Sequence, residues 1–152
     1  MSLASDHPHA PQRLAVDYVH TASPTALLGL PETLAVFGFG TLAPAKAGAD
    51  DPRYLRVPLS PLQGTAAPFE VWRAGGPVTC GVTDGIRYSH DGALMFGVLE
   101  WEEPEGGILH ASARAYAALT AFWRDCGYPH LLRIWNYFHA ITLGEGDAER
   151  YR

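Results

Sequence analysis

Apolar residues in the first half alternate with polar ones or form short runs, and both patterns predict β-strands. The predicted strands cover residues 14–19, 34–40, 54–59, 69–73 and 78–82. Gly and Pro punctuate the segments between them, which is typical of turns and loops. Residues 21–33 contain such punctuation around a short apolar piece at 26–30, and we predict a loop there.

A β-hairpin and an acidic loop are predicted next. Residues 86–89 and 93–101 flank the pair Asp91-Gly92, and Asp-Gly between two apolar stretches is a strong turn signal. The loop that follows is rich in carboxylates, namely Glu100, Glu102, Glu103 and Glu105. No apolar frame surrounds them that would raise a carboxyl pKa, so we interpret them as a solvated loop and not as a catalytic cluster.

A long helix is predicted for residues 109–126. Its apolar positions recur in steps of three and four, the period of one helix face. These positions are Leu109, Ala113, Tyr116, Thr120 and Trp123. Alanine fills much of the segment, Gly127 is suited to the C-cap, and Pro129 prevents continuation. The pattern indicates a helix packed on a sheet.

Residues 131–142 predict the last strand, and its two faces differ. One face carries Arg133, Trp135, Tyr137 and His139, whereas Asn136 lies among apolar residues on the other. A cation beside aromatic rings suits a pocket for a flat anion, but a half-solvated antiparallel strand has similar side chains. Arg133 is therefore an anion contact or a surface ion pair, and the two rings are a pocket wall or packing between subunits. Asn136 is expected to satisfy backbone or a neighbouring strand.

The order of elements predicts an α+β fold with a mixed β-sheet and one long packed helix. Residues 147–152 resemble the first turns of a further helix, so we expect the unit to be incomplete at its C-terminus. The expected organisation is a flexible tail over residues 1–12, a strand-rich part over 13–75 and a half unit over 76–152.

Composition narrows the function. A net charge of −5 over 152 residues argues against a nucleic-acid or anionic membrane surface. No apolar run reaches transmembrane length and no signal peptide is recognised, so we expect a cytoplasmic protein. Cys80 and Cys126 form no metal motif and are expected to be reduced and buried. Of the 11 basic residues only Lys46 is a Lys, and Arg is the better residue for forked carboxylate recognition.

Two further motifs do not predict a cofactor or metal. Gly38 and Gly40 follow an apolar run, but neither Gly-Lys-Ser/Thr nor a helix pattern comes after them, so a phosphate loop is excluded. We expect these glycines to let another backbone approach closely. His7 and His9 flank Pro8 with no further ligands at metal-binding spacing. We expect no metal and no cofactor.

Several runs together resemble one enzyme family. They are Ile86-Arg87-Tyr88, Leu94-Met95-Phe96-Gly97, Ala115-Tyr116 with Leu119, the run from Gly127 to Tyr137, and Glu149-Arg150-Tyr151-Arg152. These residues resemble the chorismatase family, whose members are often labelled pteridine-dependent dioxygenase-like proteins. The resemblance is clear over residues 86–152 and faint before them.

The resemblance implies units similar to the RidA/YjgF (chorismate mutase-like) fold and hydrolysis of chorismate to pyruvate. The second product is a dihydroxycyclohexadiene carboxylate or a hydroxybenzoate. Chorismate is a flat dicarboxylate, so the implied substrate contacts are Arg133, Trp135, Tyr137, Arg150, Tyr151 and Arg152. The family's catalytic glutamate belongs to a C-terminal half that this sequence lacks. We therefore expect the chain alone to be inactive and to be completed by such a half or by self-association.

Two other functions remain open. A RidA-like enamine or imine hydrolase would have a similar fold, with clefts between subunits. A non-catalytic binding or assembly module would use the exposed edge and unfinished helix to bind a partner. A glutamate in a second RidA-like half, supplied by a longer chain, would favour the chorismatase.

Overall fold

The computed structural model describes residues 13–41, 43–47, 50–59, 69–103, 107–138 and 144. The chain divides into two compact units. The first comprises Met1–Val82 and Arg87–Val98, and the second comprises Thr83–Ile86 and Leu99–Arg152. Within the described ranges, no helix is both long and apolar enough to cross a bilayer. The elements confirm a mixed α+β fold.

The first unit is built on a four-stranded sheet in the order β1-β4-β2-β3. Its strands are β1 (Leu14–Val19), β2 (Thr33–Phe39), β3 (Tyr54–Val57) and β4 (Phe69–Ala74). β4 is antiparallel to both β1 and β2, whereas β3 is parallel to β2. The central strand β2 is buried almost throughout, which explains its uninterrupted apolar run. The strands predicted at residues 14–19, 34–40, 54–59 and 69–73 are confirmed as β1 to β4.

A short helix replaces part of the predicted loop at residues 21–33. Helix α1 (Pro24–Leu28) begins after Ser23, whose side chain accepts the N–H of Ala26 at 3.2 Å. Pro24 stands at the first helical position, where its missing N–H costs nothing. Leu27 and Leu28 are buried. The loop prediction was wrong here because one helical turn is too short to show a period in the sequence.

Two apolar clusters form the core of the first unit. One includes both leucines of α1 together with Val36, Tyr54 and Val71. The other includes Phe37 and Phe96, with Trp72 packed against them. The rings of Phe37, Trp72 and Phe96 meet with centroids 5.2–6.0 Å apart.

Gly38 gives the first cluster its tight packing. A Cβ atom at this position would lie 2.4 Å from the Tyr54 hydroxyl and 2.8 Å from Ala43 Cβ. The approaching group is therefore a tyrosine ring and not the backbone that the sequence suggested. The Tyr54 hydroxyl donates to the Pro44 carbonyl oxygen at 2.7 Å, which fixes the ring where it lies.

A second sheet contains β5 (Thr79–Thr83), β6 (Ile86–His90) and β7 (Met95–Val98) in that order. The predicted hairpin is confirmed, since β6 and β7 pair antiparallel beside Asp91. The Asp91 carboxylate accepts the N–H groups of Ala93 and Leu94. Between β5 and β6, Asp84 and Gly85 have φ values of 51° and 81°, which is the signature of a type I′ turn. This second Asp-Gly turn was not predicted from the sequence.

Cys80 lies in β5 and is exposed, so the expectation that both cysteines are buried was wrong for this residue. Cys126 is half-buried, and both thiols are free. The pKa of the Cys80 thiol is raised, because burial of the sulfur atom outweighs the opposing effect of the Arg53 charge. The thiolate is thus disfavoured in spite of the residue's exposure.

Helix α2 (Gly107–Asp125) confirms the predicted long helix, and Gly127 follows it with φ of 79°, as a C-cap glycine does. None of its residues is buried. The predicted strand after it was wrong over residues 131–138, which form no strand within the described part of the chain. Alternation shows a preference for extended backbone, but a strand also needs a pairing partner. Residues 139–142 lie outside the described residues.

An Arg-Asp pair joins the start of β3 to α1 and β2. Arg53 donates to both carboxylate oxygens of Asp51, at 2.9 and 2.7 Å. Its guanidinium also donates to the carbonyl oxygens of Leu28, at 2.7 Å, and Thr33, at 3.3 Å. One side chain therefore connects three segments that are distant in sequence.

The Asp51 carboxyl makes stability depend on pH. Burial raises its pKa, but the hydrogen bonds and charge of Arg53 outweigh burial, so the pKa lies below its ordinary value of 3.8. A carboxyl with a lowered folded-state pKa contributes stability above its unfolded pKa and loses that contribution as pH falls through the folded value. We expect the free energy of unfolding to fall below about pH 4, and Asp51→Asn to flatten this decline.

Urea unfolding at several pH values between 7 and 3 measures both slopes. Asp50→Asn is the matched control, because that carboxylate is 66% exposed in its pair with Lys46 and such pairs contribute little. Equal slopes for Asp51→Asn and the unsubstituted protein would contradict the assignment.

Candidate functional site

Arg133 and Trp135, which the sequence analysis assigned to one strand face, contact each other. The guanidinium carbon of Arg133 lies 5.0 Å from the centroid of the Trp135 ring. Residues two apart share a side of an extended backbone, so such a contact is one between near neighbours in sequence. Trp135 is 41% exposed, and Arg133 is exposed as well. The pair is a cation–π contact on an open surface.

The charge of Arg133 is available to an anion. Among the described residues, the salt bridges are Lys46–Asp50, Arg53–Asp51 and Arg73–Asp17, so Arg133 has no carboxylate partner there. An indole against the face of a guanidinium leaves the N–H groups at its edge, where a carboxylate binds in a fork.

The sequence suggested that Asn136 satisfies backbone or a neighbouring strand. Among the described residues its side chain instead binds Tyr116 of helix α2. Its Nδ2 donates to the Tyr116 hydroxyl at 2.9 Å. The same hydroxyl donates to Asn136 Oδ1 at 3.1 Å. Twenty residues separate the two in sequence, and no local pattern signals such a pair.

A turn after α2 brings the chain back along the helix. The Trp123 indole N–H donates to the Tyr128 carbonyl oxygen at 2.8 Å. The Cys126 thiol donates to the Trp123 carbonyl oxygen at 3.1 Å. These bonds and the Gly127 C-cap fix the direction in which residues 131–138 leave the helix.

A second cation–π pair in this unit was not foreseen. The guanidinium of Arg114, on α2, lies 5.0 Å from the centroid of the Trp101 ring. With Glu102 and Ala111 the pair lines a shallow depression of about 170 Å³. Trp101 and Arg114 are 13 residues apart, across the acidic loop, so their contact had no signal in the sequence.

The remaining predicted site residues are only partly described. Tyr137 is 42% exposed on the same segment as Arg133. Arg150, Tyr151 and Arg152 lie outside the described residues, as do His139, His7 and His9. Within the described ranges, no group of three His, Cys, Asp or Glu side chains is placed to hold a metal ion.

The second unit exposes large apolar side chains. They are Trp101, Leu109, Tyr116, Leu131, Leu132, Ile134, Trp135 and Tyr137, each at least 40% exposed. Leu109 and Leu132 are the most open, at 78% and 77%. Isolated apolar residues are common on protein surfaces, whereas these side chains belong to one unit and accompany a helix that has no buried residue.

Comparison with known proteins gives consistent matches. The family model described as "Chorismatase FkbO/Hyg5-like, N-terminal" matches residues 70–152. A chorismatase from Streptomyces hygroscopicus is 38% identical over 84 residues, which are 55% of this chain and 24% of that protein. A chorismatase from Streptomyces rapamycinicus is 36% identical over 85 residues, which are 55% of this chain and 25% of that protein. A 3-hydroxybenzoate synthase from Streptomyces hygroscopicus is 31% identical over 104 residues, 67% and 30% of the two chains.

A solved structure extends the likeness to the first unit. The crystal structure of a chorismatase at 1.08 Å resolution superposes with a TM-score of 0.68 and 29% identity. The match covers 91% of this chain and 41% of that chain. The part before residue 86, where the sequence resemblance was faint, therefore belongs to the same fold. The chain spans 24–30% of the length of the curated relatives it matches.

Proposed function

Because this chain belongs to the FkbO/Hyg5-like chorismatase family, as an N-terminal part, we propose that it serves in hydrolysis of chorismate. The products are pyruvate and a dihydroxycyclohexadiene carboxylate or a hydroxybenzoate. The relatives support this proposal, since they include two chorismatases and a 3-hydroxybenzoate synthase. The observation that carries it is the family match, which spans the segment bearing Arg133 and Trp135.

The proposed reaction uses general acid catalysis. An acid protonates the methylene carbon of the enolpyruvyl ether, and water or a hydroxyl of the substrate captures the resulting oxocarbenium ion. Water adds to the adjacent carbon, which bears the ether oxygen, and collapse of this hemiketal breaks the bond between that carbon and the ether oxygen. The ether oxygen takes up a proton as pyruvate is released. We assign the acid to a glutamate in the C-terminal half of such an enzyme, beyond the residues of this chain.

The role proposed for this chain is substrate binding. The Arg133 guanidinium, whose central carbon lies 5.0 Å from the centroid of the Trp135 ring, offers an exposed forked donor to one of the two carboxylates. The rings of Trp135 and Tyr137 suit the flat face of the substrate. Arg150, Tyr151 and Arg152 stay in the proposed site on the strength of the family resemblance.

We also propose a RidA/YjgF-type unit over residues 76–152, after a strand-rich part at 13–75 and a tail at 1–12. The hairpin followed by α2 supports this type. The exposed apolar side chains of the second unit and the greater length of the relatives support completion by a C-terminal half. Self-association is the alternative for the same surface. A cytoplasmic location fits the two free thiols.

Pyruvate release from chorismate tests the proposal. The chain is compared alone and fused to the C-terminal half of the Streptomyces hygroscopicus chorismatase, and we expect turnover only from the fusion. A fusion that unfolds cooperatively but releases no pyruvate would overturn the proposal. Dimerisation of that inactive protein through the second unit would then favour an assembly module.

In the active fusion, Arg133→Ala is expected to raise KM for chorismate about 10-fold, because a charged hydrogen-bonding pair is lost. Arg124→Ala is the matched control. Arg124 is an exposed arginine in the last turn of α2, and its loss changes the net charge equally. We expect this control to keep KM within about twofold. Equal KM values for both variants would remove Arg133 from the site.

A further inference from the structure

Side chains, and not a sheet, link residues 131–138 to helix α2. In the described part of the chain this segment has no strand partner. The side-chain contacts between the two elements include the double hydrogen bond of Tyr116 with Asn136. The hydroxyl acts as donor to Oδ1 and as acceptor from one N–H of Nδ2, so one group contacts both polar atoms of the amide.

The position of Asn136 in the sequence gives this link a geometric consequence. The contact between Arg133 and Trp135 is the one that extended backbone produces, with side chains two apart on a common side. Asn136 is adjacent to Trp135, and adjacent side chains of extended backbone point to opposite sides. Because Asn136 is bonded to Tyr116 on the helix, the neighbouring Trp135 and the Arg133 side chain that contacts it are held close to that bond.

The link is also placed to limit rotation of the segment. The bond from Trp123 to the Tyr128 carbonyl oxygen fixes the chain at its exit from α2. The Tyr116–Asn136 bonds fix it again eight residues later. Two anchors define the direction of the backbone between them, and Arg133 lies in that interval. Loss of the Tyr116–Asn136 bonds would release one of the points that hold this interval, so the fork of Arg133 would be less preorganised.

We propose that Tyr116 and Asn136 are positioning residues that orient Arg133 and Trp135 for a carboxylate ligand. This role rests on the proposed function for the identity of the ligand. The two residues act through the segment and do not touch the substrate. The link itself is a property of the 152-residue chain and is measurable without any ligand.

Hydrogen exchange of the 152-residue chain tests the link. Tyr116→Phe removes only the hydroxyl and is expected to speed amide exchange over residues 131–138 about fivefold, because both hydrogen bonds to Asn136 are lost from an exposed site where their net contribution is small. Tyr18→Phe is the control, because it removes the hydroxyl of a tyrosine that is 66% exposed in β1. Unchanged exchange in Tyr116→Phe would overturn the link.

Kinetics of the active fusion test the positioning role. Tyr116→Phe and Asn136→Ala are each expected to raise KM for chorismate about three- to fivefold while kcat stays within about twofold. Both substitutions remove the same pair of bonds. The KM of the double variant should therefore not exceed the higher of the two KM values of the single variants. Additive effects, or a loss of kcat without a change in KM, would contradict positioning.

The two proposals fail in different ways. If Arg133→Ala raises KM but Tyr116→Phe and Asn136→Ala do not, the proposed function stands and the positioning role is wrong. If Arg133→Ala leaves KM unchanged, the anion-binding role fails and the positioning role fails with it. Faster exchange in Tyr116→Phe would then show a link that serves only the fold, which also contradicts this inference.

Discussion

Gly38→Ala is expected to lower the free energy of unfolding by about 3 kcal/mol, the upper range for overpacking a core. The added Cβ would lie 2.4 Å from the Tyr54 hydroxyl and 2.8 Å from Ala43 Cβ. Both neighbours are buried, at 4% and 2% exposure. Tyr54 cannot swing aside without losing its bond to the Pro44 carbonyl oxygen, so the parallel β2–β3 pair must separate.

Urea denaturation of Gly38→Ala beside Gly76→Ala measures this loss. Gly76 has no atom within 4 Å of an added Cβ, so the control makes the same chemical change without crowding. Tyr54→Phe should partly rescue Gly38→Ala, since the nearest ring atom then lies 3.1 Å away. Equal stability of the two alanine variants, or strict additivity in the double variant, would contradict the steric explanation.

Arg53→Ala is expected to cost about 3 kcal/mol, because breaking a largely buried ion pair leaves its partner uncompensated. The Arg53 side chain is only 14% exposed, and that of Asp51 is 23% exposed. Removal also takes a donor from the Leu28 carbonyl oxygen at the end of α1. The substitution therefore removes hydrogen bonds that connect α1, β2 and the segment before β3.

Thermal unfolding of Arg53→Ala, Arg53→Lys and Lys46→Ala distinguishes this explanation from a general effect of charge. Arg53→Lys keeps the charge but cannot form the fork, so we expect an intermediate loss of about 2 kcal/mol. Lys46→Ala breaks a pair whose side chains are 70% and 66% exposed and should cost less than about 0.5 kcal/mol. Similar losses for the two alanine variants would refute a special role for Arg53.

The sequence predicted those elements whose information is local. The strands of the first unit follow from alternation or apolar runs, and helix α2 follows from a stripe, a C-cap glycine and Pro129. Helix α1 was missed because five residues show no period. The Asp84-Gly85 turn was missed because the short strand before it had only a weak pattern in the sequence. Residues 131–138 failed as a strand because pairing depends on a partner, which alternation does not specify.

The same distinction applies to the candidate site. Arg133 and Trp135 are two residues apart, so their contact was predictable from the extended pattern alone. The turn that follows α2 brings Asn136 to Tyr116, and the loop that precedes α2 brings Trp101 to Arg114. Neither contact is signalled by a local pattern. Gly38 was recognised as a close-packing position, but its neighbour is Tyr54, and no spacing in the sequence connects these two residues.

The pairing of β1 has a consequence for synthesis on the ribosome. Among the described strands β1 pairs only with β4, and Leu14 faces Ala74, 60 residues further along the chain. At about 5–20 residues per second, the growing chain needs roughly 3–12 s to make that interval. During this time Val16 and Tyr18 have no sheet to join. Until β4 has been made, the backbone N–H and C=O groups of β1 lack the pairing partners that this strand has in the described sheet.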